Sequence, residues 1–323
     1  MPQSAAQLVQ CELQEVEHRL LQLCGDEQDP LSAAAREAVQ AGGKRLRPTL
    51  VLLSAKAAGR ISDDSLLLSV AVETMHLASL MHDDVVDHAV LRRGQPTVRQ
   101  SWGDRMAVLV GDYLASRAYY ELAPLRDSEY VGIFAAVGIE MCRAEARSSQ
   151  IEAQDLTEAD CLEIARGKTA GLFAASCQAG ALSGGAGAEA SLHYRAYGEH
   201  LGLAFQLADD LLDIYGSEDA LGKAPGRDVL TDQFTFPIVH ALGGEGGEAV
   251  REAIAAFNAS ASDDDLRRLG EVVEVAGGRT AAEALAREET ARARTALQLV
   301  ASAEPEASAA LEALLEQVVV RTS

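Results

Sequence analysis

Apolar residues recur three and four positions apart along most of this chain, and the two-residue alternation of a half-buried strand is nearly absent. That periodicity confines the fold to helices packed on helices. Helical stretches are predicted near 4–24, 31–41, 48–58, 64–89, 104–122, 129–150, 158–182, 189–215, 247–258, 277–302 and 305–320, the first ending at Gly25. Composition agrees: the chain is rich in Ala, Leu and Glu, with only 8 Pro and 4% aromatic residues. Breaks fall at 183–189, 216–228 and 243–248, and none is long enough to link two domains. An all-α fold forming a single domain over 1–323 is expected, since 323 residues, 48% of them hydrophobic, suffice for one large core.

Lys and Arg number 28 against 49 Asp and Glu, a net charge of −21, so the surface should repel nucleic acid and anionic membranes. An anionic ligand would need a local basic pocket. The five cysteines form no CxxC pair and no zinc pattern, and read as reduced thiols. The N-terminus lacks a basic start and a long apolar run, and no later segment is expected to reach membrane-spanning length. A cytoplasmic protein without a transmembrane segment is the expectation.

Two aspartate clusters interrupt apolar helices: HDDVVD, with Asp83, Asp84 and Asp87, and ADDLLD, with Asp209, Asp210 and Asp213. Residues at i and i+4 of a helix share a face about 6 Å apart along the axis, so Asp83 with Asp87, and Asp209 with Asp213, each make a two-carboxylate claw. Such a claw repels itself unless a cation sits between its arms. One DDxxD in an acidic protein reads equally well as a solvated face. Two of them bounded by apolar residues place charge at the mouth of a greasy interior, where unpaired charge is costly. Oxygen-only ligands suit Mg²⁺, which combines one or two carboxylates with water and phosphate oxygens. Two facing claws would hold one diphosphate.

Cations accompany them. AGGKRLRP carries Lys44, Arg45 and Arg47; LRRGQPT carries Arg92 and Arg93; ARGKTAGLF carries Lys168 and Thr169; LGKAPGRD carries Lys223. Arginine's fork pairs bidentately with phosphate oxygens, and lysine acts as a point charge. Each cluster alone reads as a surface patch. Together they offer two cation sets, one around a metal-bound diphosphate and one without metal.

In order and spacing, GGKRLRP, HDDVVD with RRGQPT, AVLVGDYL, GKTAGLF, FQLADDLLD and LGKAPGRD resemble the trans-isoprenyl diphosphate synthase family, from about Gly42 to Leu242. The resemblance implies an isoprenoid synthase fold, a homodimer, and two aspartate motifs facing each other across a deep central cavity. It implies an Mg²⁺-dependent prenyltransferase that joins isopentenyl diphosphate to an allylic diphosphate. It also implies that Asp83, Asp87 and Asp209 are metal ligands, supported by Asp84, Asp210 and Asp213. Arg92, Lys168, Thr169, Gln206 and Lys223 resemble the allylic diphosphate contacts, and Lys44, Arg47, His76 and Arg93 the isopentenyl diphosphate pocket. Without the resemblance, His76 reads as a core histidine.

One departure is visible: Gln233 stands where the family commonly has a basic residue, which predicts weaker allylic binding and retained activity. Small residues one turn before Asp83, Ala78 and Ser79, argue against a short product, because bulky side chains there would close the channel. A deeper floor would fall at Met75, Tyr119 or Phe134, positions that read equally well as ordinary core. A long-chain, octaprenyl-type product is expected, with geranylgeranyl diphosphate as the rival. A terpene cyclase is disfavoured by the intact second DDxxD, and a noncatalytic subunit of a heteromeric synthase by undamaged claws.

Overall fold

The computed structural model describes residues 3–26, 28–92, 94–125, 127–216 and 225–322. In chain order the helices are α1 Gln3–Gln7, α2 Gln10–Leu23, α3 Pro30–Gln40, α4 Leu46–Ala58 and α5 Asp63–Val86. They continue with α6 Val98–Trp102, α7 Asp104–Leu122, α8 Ser128–Ser148 and α9 Glu158–Ala165, then a π-helical turn over Arg166–Ala170. After it come α10 Gly171–Gly184, α11 Ala188–Tyr215, α12 Arg227–Leu230, α13 Phe236–Gly243, α14 Gly247–Ser260, α15 Asp263–Val275, α16 Gly278–Gln298 and α17 Pro305–Thr322. The only strands among the described residues are two-residue pieces, β1 Leu91–Arg92 and β2 Gln95–Pro96, paired as a hairpin. The fold is all-α, as the periodicity requires.

Contacts group the chain into two units. The first comprises Met1–Val137, Leu172–Gly198 and Thr295–Leu314; the second comprises Gly138–Gly171, Glu199–Arg294 and Leu315–Ser323.

In the first unit α5 is the organising element. Ser62 caps it, accepting from the Ser65 backbone N–H while Ser65 returns a bond to the Ser62 N–H, a capping box that fixes where the helix starts. One side of α5 packs with Val16, Leu20, Val110 and Leu114 through Val70, Leu77, Ala78 and Met81; the other packs with Val51, Ala118 and Phe134 through Leu68, Val72 and Met75. Each fully buried aliphatic or aromatic side chain contributes about 1.5–3 kcal/mol. The expectation that no segment reaches spanning length is corrected here. α5 is long and apolar enough to cross a membrane, and 67% of its apolar stretch is buried inside the protein. Its apolar surface is satisfied by neighbouring helices on both sides.

Close approach within this unit depends on two glycines. A Cβ on Gly180 would stand 2.3 Å from the Val51 carbonyl oxygen, and one on Gly184 2.2 Å from that of Ala55, so α10 lies directly on the backbone of α4.

The second unit has two apolar clusters. One joins Ile214, Val229, Ile238, Phe257, Leu269 and Val273; the other joins Leu207, Leu211, Phe236, Ala282 and Ala286. Three of its helices, α12, α13 and α15, were not anticipated. α15 starts at Ser262, whose hydroxyl accepts from the Asp265 backbone N–H, followed by three acidic residues at the positive end of the helix. That capping signal was legible and overlooked. α13 begins at Phe236 with Pro237 in its first turn, where the missing N–H costs nothing. The predicted helix over 158–182 forms, interrupted by the π-turn at Arg166–Ala170.

Candidate active site

The first aspartate motif closes α5. Asp83 lies in the last turn and Asp87 is the C-cap, joined by a bond from the Asp87 N–H to the Asp83 carbonyl of 2.8 Å, so the two remain one helical turn apart. The helix stops because His88 turns left-handed, at φ 50°. The His88 N–H then bonds the Val85 carbonyl at 3.3 Å and the Ala89 N–H the Asp84 carbonyl at 2.9 Å, the Schellman pattern, with histidine in the place that glycine usually takes. Asp83 and Asp87 are half-buried, whereas Asp84 is 1% exposed.

Asp84 therefore faces inward, and its partner is Arg92. From β1, Arg92 donates from Nε at 2.9 Å and from Nη2 at 2.8 Å, both to Asp84 Oδ1. Oδ2 of Asp84 is buried without a hydrogen bond. The hairpin thus returns Arg92 to the end of the helix that carries the claw. Arg93 lies outside the described residues.

Also in the first unit, the GGKRLRP segment enters α4. Lys44 is exposed, Arg47 is half-buried with its guanidinium 5.1 Å from the centre of the Phe173 ring, and Arg45 between them is buried. His76 is half-buried on α5, two turns before Asp83. Ala78 is buried and Ser79 half-buried, its hydroxyl donating to the His76 carbonyl at 2.8 Å. Met75 and Phe134 share one apolar cluster, while Tyr119 is 37% exposed.

The second motif sits near the end of α11 in the second unit. Asp209 is half-buried; Asp210 and Asp213 are buried. Burial pushes the Asp210 carboxyl up to about 8, against the lowering effect of the Gln206 hydrogen bond and together with the charges of Asp228, Asp209 and Asp213. Gln206 links two predicted residues: its Oε1 accepts from Thr169 Oγ1 at 2.7 Å and its Nε2 donates to Asp210 Oδ1 at 2.8 Å. Asp213 Oδ2 accepts the Asp228 backbone N–H at 3.1 Å.

Lys168 and Thr169 lie in the π-turn, where one extra residue per turn re-aims side chains that an unbroken helix would present elsewhere. Gly167 permits it, because a Cβ there would lie 2.4 Å from the Ala144 Cβ and 2.9 Å from the Glu140 carbonyl oxygen. Lys168 Nζ is 2.5 Å from Glu145 Oε2. Sequence reasoning missed Glu145, since nothing in its neighbourhood marks it apart from other exposed-face glutamates. Gln233 is half-buried, its backbone N–H bonded to the Asp228 carbonyl at 2.8 Å. Lys223 lies outside the described residues.

Among the described residues no three His, Cys, Asp or Glu side chains gather as a complete cation cage. The first motif offers two half-buried carboxylates, Asp83 and Asp87, and the second offers half-buried Asp209 beside buried Asp213. Mg²⁺ is usually held by one or two carboxylates, with substrate phosphates and water completing its octahedron. The donor set, oxygen only and partly buried, fits a hard divalent cation delivered with a diphosphate.

Residues 28–273 match the polyprenyl synthetase family. The chain is 40% identical over 246 residues to heptaprenyl diphosphate synthase component 2 of Geobacillus stearothermophilus, covering 76% of each chain. It is equally 40% identical, over 255 residues, to the (2E,6E)-farnesyl diphosphate synthase of Mycobacterium bovis, covering 76% of this chain and 70% of the relative. The structure of a polyprenyl synthase from Caulobacter crescentus complexed with calcium and isoprenyl diphosphate matches with a TM-score of 0.90 at 33% identity, covering 99% of this chain and 98% of the other. The chain belongs to the polyprenyl synthetase family, with the isoprenoid synthase fold, and is a prenyltransferase that condenses isopentenyl diphosphate with an allylic diphosphate.

Proposed function

We propose that the chain is a Mg²⁺-dependent synthase of long-chain polyprenyl diphosphates, working as one catalytic domain over its length. The observation that carries the metal assignment is the pairing of half-buried Asp83 and Asp87 one turn apart at the C-terminal end of α5, with a further half-buried carboxylate, Asp209, on α11. Asp83, Asp87 and Asp209 hold the metal. The Caulobacter crescentus enzyme's complex with calcium and isoprenyl diphosphate supports a divalent ion. When bound, Mg²⁺ supplies Lewis-acid stabilisation of the departing diphosphate.

The remaining work falls to side chains. Arg92, held by Asp84, and Lys168, Thr169, Gln206 and Lys223 bind and orient the allylic diphosphate, placing fixed positive charge where negative charge grows as the allylic carbon–oxygen bond breaks. Lys44, Arg47, His76 and Arg93 bind isopentenyl diphosphate and align its double bond with the allylic carbon. Apolar walls keep water from the cation until the bond forms. Gln233 contributes a weaker contact than a cation would.

Product length is assigned to the long-chain class because Ala78, 4% exposed, and Ser79 place no bulk one turn before Asp83. Geranylgeranyl diphosphate is the competing product. Relatives at equal identity carry names from farnesyl to heptaprenyl, so identity alone does not choose. Product sizing after reaction with labelled isopentenyl diphosphate tests this: products beyond seven isoprene units support the assignment, and a stop at four assigns geranylgeranyl.

A homodimer is part of the proposal. Val108, Leu109, Tyr119 and Tyr120 on α7 and Val131 on α8 expose large apolar surfaces, the kind that mark association faces. A cytoplasmic location is part of the proposal and is tested by fractionation. A second reading, one subunit of a two-part synthase, is favoured by a relative named as component 2. Turnover by the purified chain alone decides against it.

A further inference from the structure

The basic segment GGKRLRP contains three cations, and the fold treats the middle one differently. Arg45 is 7% exposed, and its guanidinium bonds Glu17, Glu73 and the Val39 carbonyl. Nη1 donates to Glu73 Oε1 on α5 at 2.8 Å. Nε donates to Glu17 Oε1 on α2, and Nη2 to Glu17 Oε2 at 3.1 Å, a bidentate fork. Nη2 also donates to the Val39 carbonyl near the end of α3, at 3.1 Å. Its charge is committed to two carboxylates and is unavailable to a substrate.

Two costs meet at this residue. Its backbone is left-handed, with φ 47° and ψ 39°, a conformation strained for a residue with a Cβ. It also buries a charge together with Glu73, itself 4% exposed, and buried ion pairs seldom improve stability over apolar replacements. A feature that is costly twice and still kept calls for a reason other than stability. The left-handed turn sends Arg45 inward while Lys44 before it stays exposed, and the next residues start α4 with Arg47 in its first turn. Glu73 stands one helical turn before His76 on the same helix, about 4.5 Å along its axis. Arg45 thus fixes the segment that carries Lys44 and Arg47 against the part of α5 that carries His76.

We propose that Arg45, clamped by Glu17 and Glu73, is a positioning residue for the isopentenyl diphosphate pocket, holding Lys44 and Arg47 in register with His76. This rests on the assignment of that pocket made above. The clamp touches no substrate; it fixes the geometry in which three other side chains meet a metal-free diphosphate.

Steady-state kinetics with each substrate varied separately test it, alongside urea unfolding. Arg45→Gly removes the clamp but suits the left-handed backbone. It is expected to raise KM for isopentenyl diphosphate roughly tenfold or more, leaving KM for the allylic primer within about twofold. Glu73→Gln keeps the shape of the site, guards against a folding failure in the glycine variant, and is expected to raise the same KM to a lesser degree. Arg45→Lys, which keeps charge without the fork, falls between. A structural role alone would lower the unfolding midpoint and kcat with both KM values unchanged, and that result overturns the inference. If Lys44→Ala and Arg47→Ala raise KM for isopentenyl diphosphate while Arg45→Gly and Glu73→Gln do not, the clamp is refuted and the pocket stands. If none of the four raises it, the pocket assignment fails and the inference falls with it.

Discussion

Replacing Arg92 by leucine separates structural from chemical work at the first aspartate motif. Asp84 has a side chain 2% exposed and accepts from Nε and Nη2 of Arg92, whose own side chain is 35% exposed. Removing one partner of a fully buried ion pair costs about 3–5 kcal/mol, because a buried charge is left alone. An exposed pair contributes under about 1 kcal/mol. With one partner buried and the other about one-third exposed, the expected loss for Arg92→Leu is about 2–3 kcal/mol. The double variant Asp84→Leu/Arg92→Leu removes the buried charge with its partner, and should recover to within about 1 kcal/mol of the wild type. Equilibrium urea unfolding of the metal-free protein measures both, and a condensation assay runs in parallel. Activity should be strongly reduced in the single variant and stay reduced in the double, since the cation proposed to meet the allylic diphosphate is gone. A single-variant loss below about 0.5 kcal/mol, or a double variant no more stable than the single, would refute the reasoning that Asp84 exists to hold Arg92.

Asp83→Ala should abolish turnover with a circular dichroism spectrum and unfolding midpoint close to wild type; near-normal rates would remove it from the metal ligands. Ala78→Phe should shorten the product, read by chain-length analysis, and an unchanged product would take this position out of the channel. Gly180→Ala should lower stability by about 1–3 kcal/mol in urea, the overlap with the Val51 backbone outweighing a helix-propensity gain of about 1 kcal/mol. An unchanged midpoint would mean that α4 and α10 separate at no cost.

Local regularities were the legible part of this molecule. The helices on which both aspartate motifs sit, the stop at Gly25 and the i, i+4 relation of Asp83 and Asp87 all follow from spacing and capping within a few residues of sequence. Harder to read was which way adjacent residues face. Lys44 and Arg45 look equivalent in GGKRLRP, and Asp83 and Asp84 look equivalent in HDDVVD; only the packing of α2 and α5, and the return of the β-hairpin, bury one of each pair. The π-turn at Arg166–Ala170 was invisible for a related reason. An inserted residue inside a continuous helical pattern leaves the apolar spacing intact for a turn on either side, and the close contact of Gly167 with Ala144 comes from another helix. α5 shows the converse: length and composition alone would let it cross a membrane, and only the packing of its neighbours shows that 67% of its apolar stretch is buried in the protein.

The central claim is that the aspartate motifs use magnesium to activate an allylic diphosphate for attack by isopentenyl diphosphate. Its most direct test is the purified chain incubated with labelled isopentenyl diphosphate and a series of allylic primers, with Mg²⁺ and then with excess chelator. Products extended by whole isoprene units, with diphosphate released, are expected only when Mg²⁺ is present. Equal product formation in chelator, or no product from any primer with Mg²⁺, would contradict it.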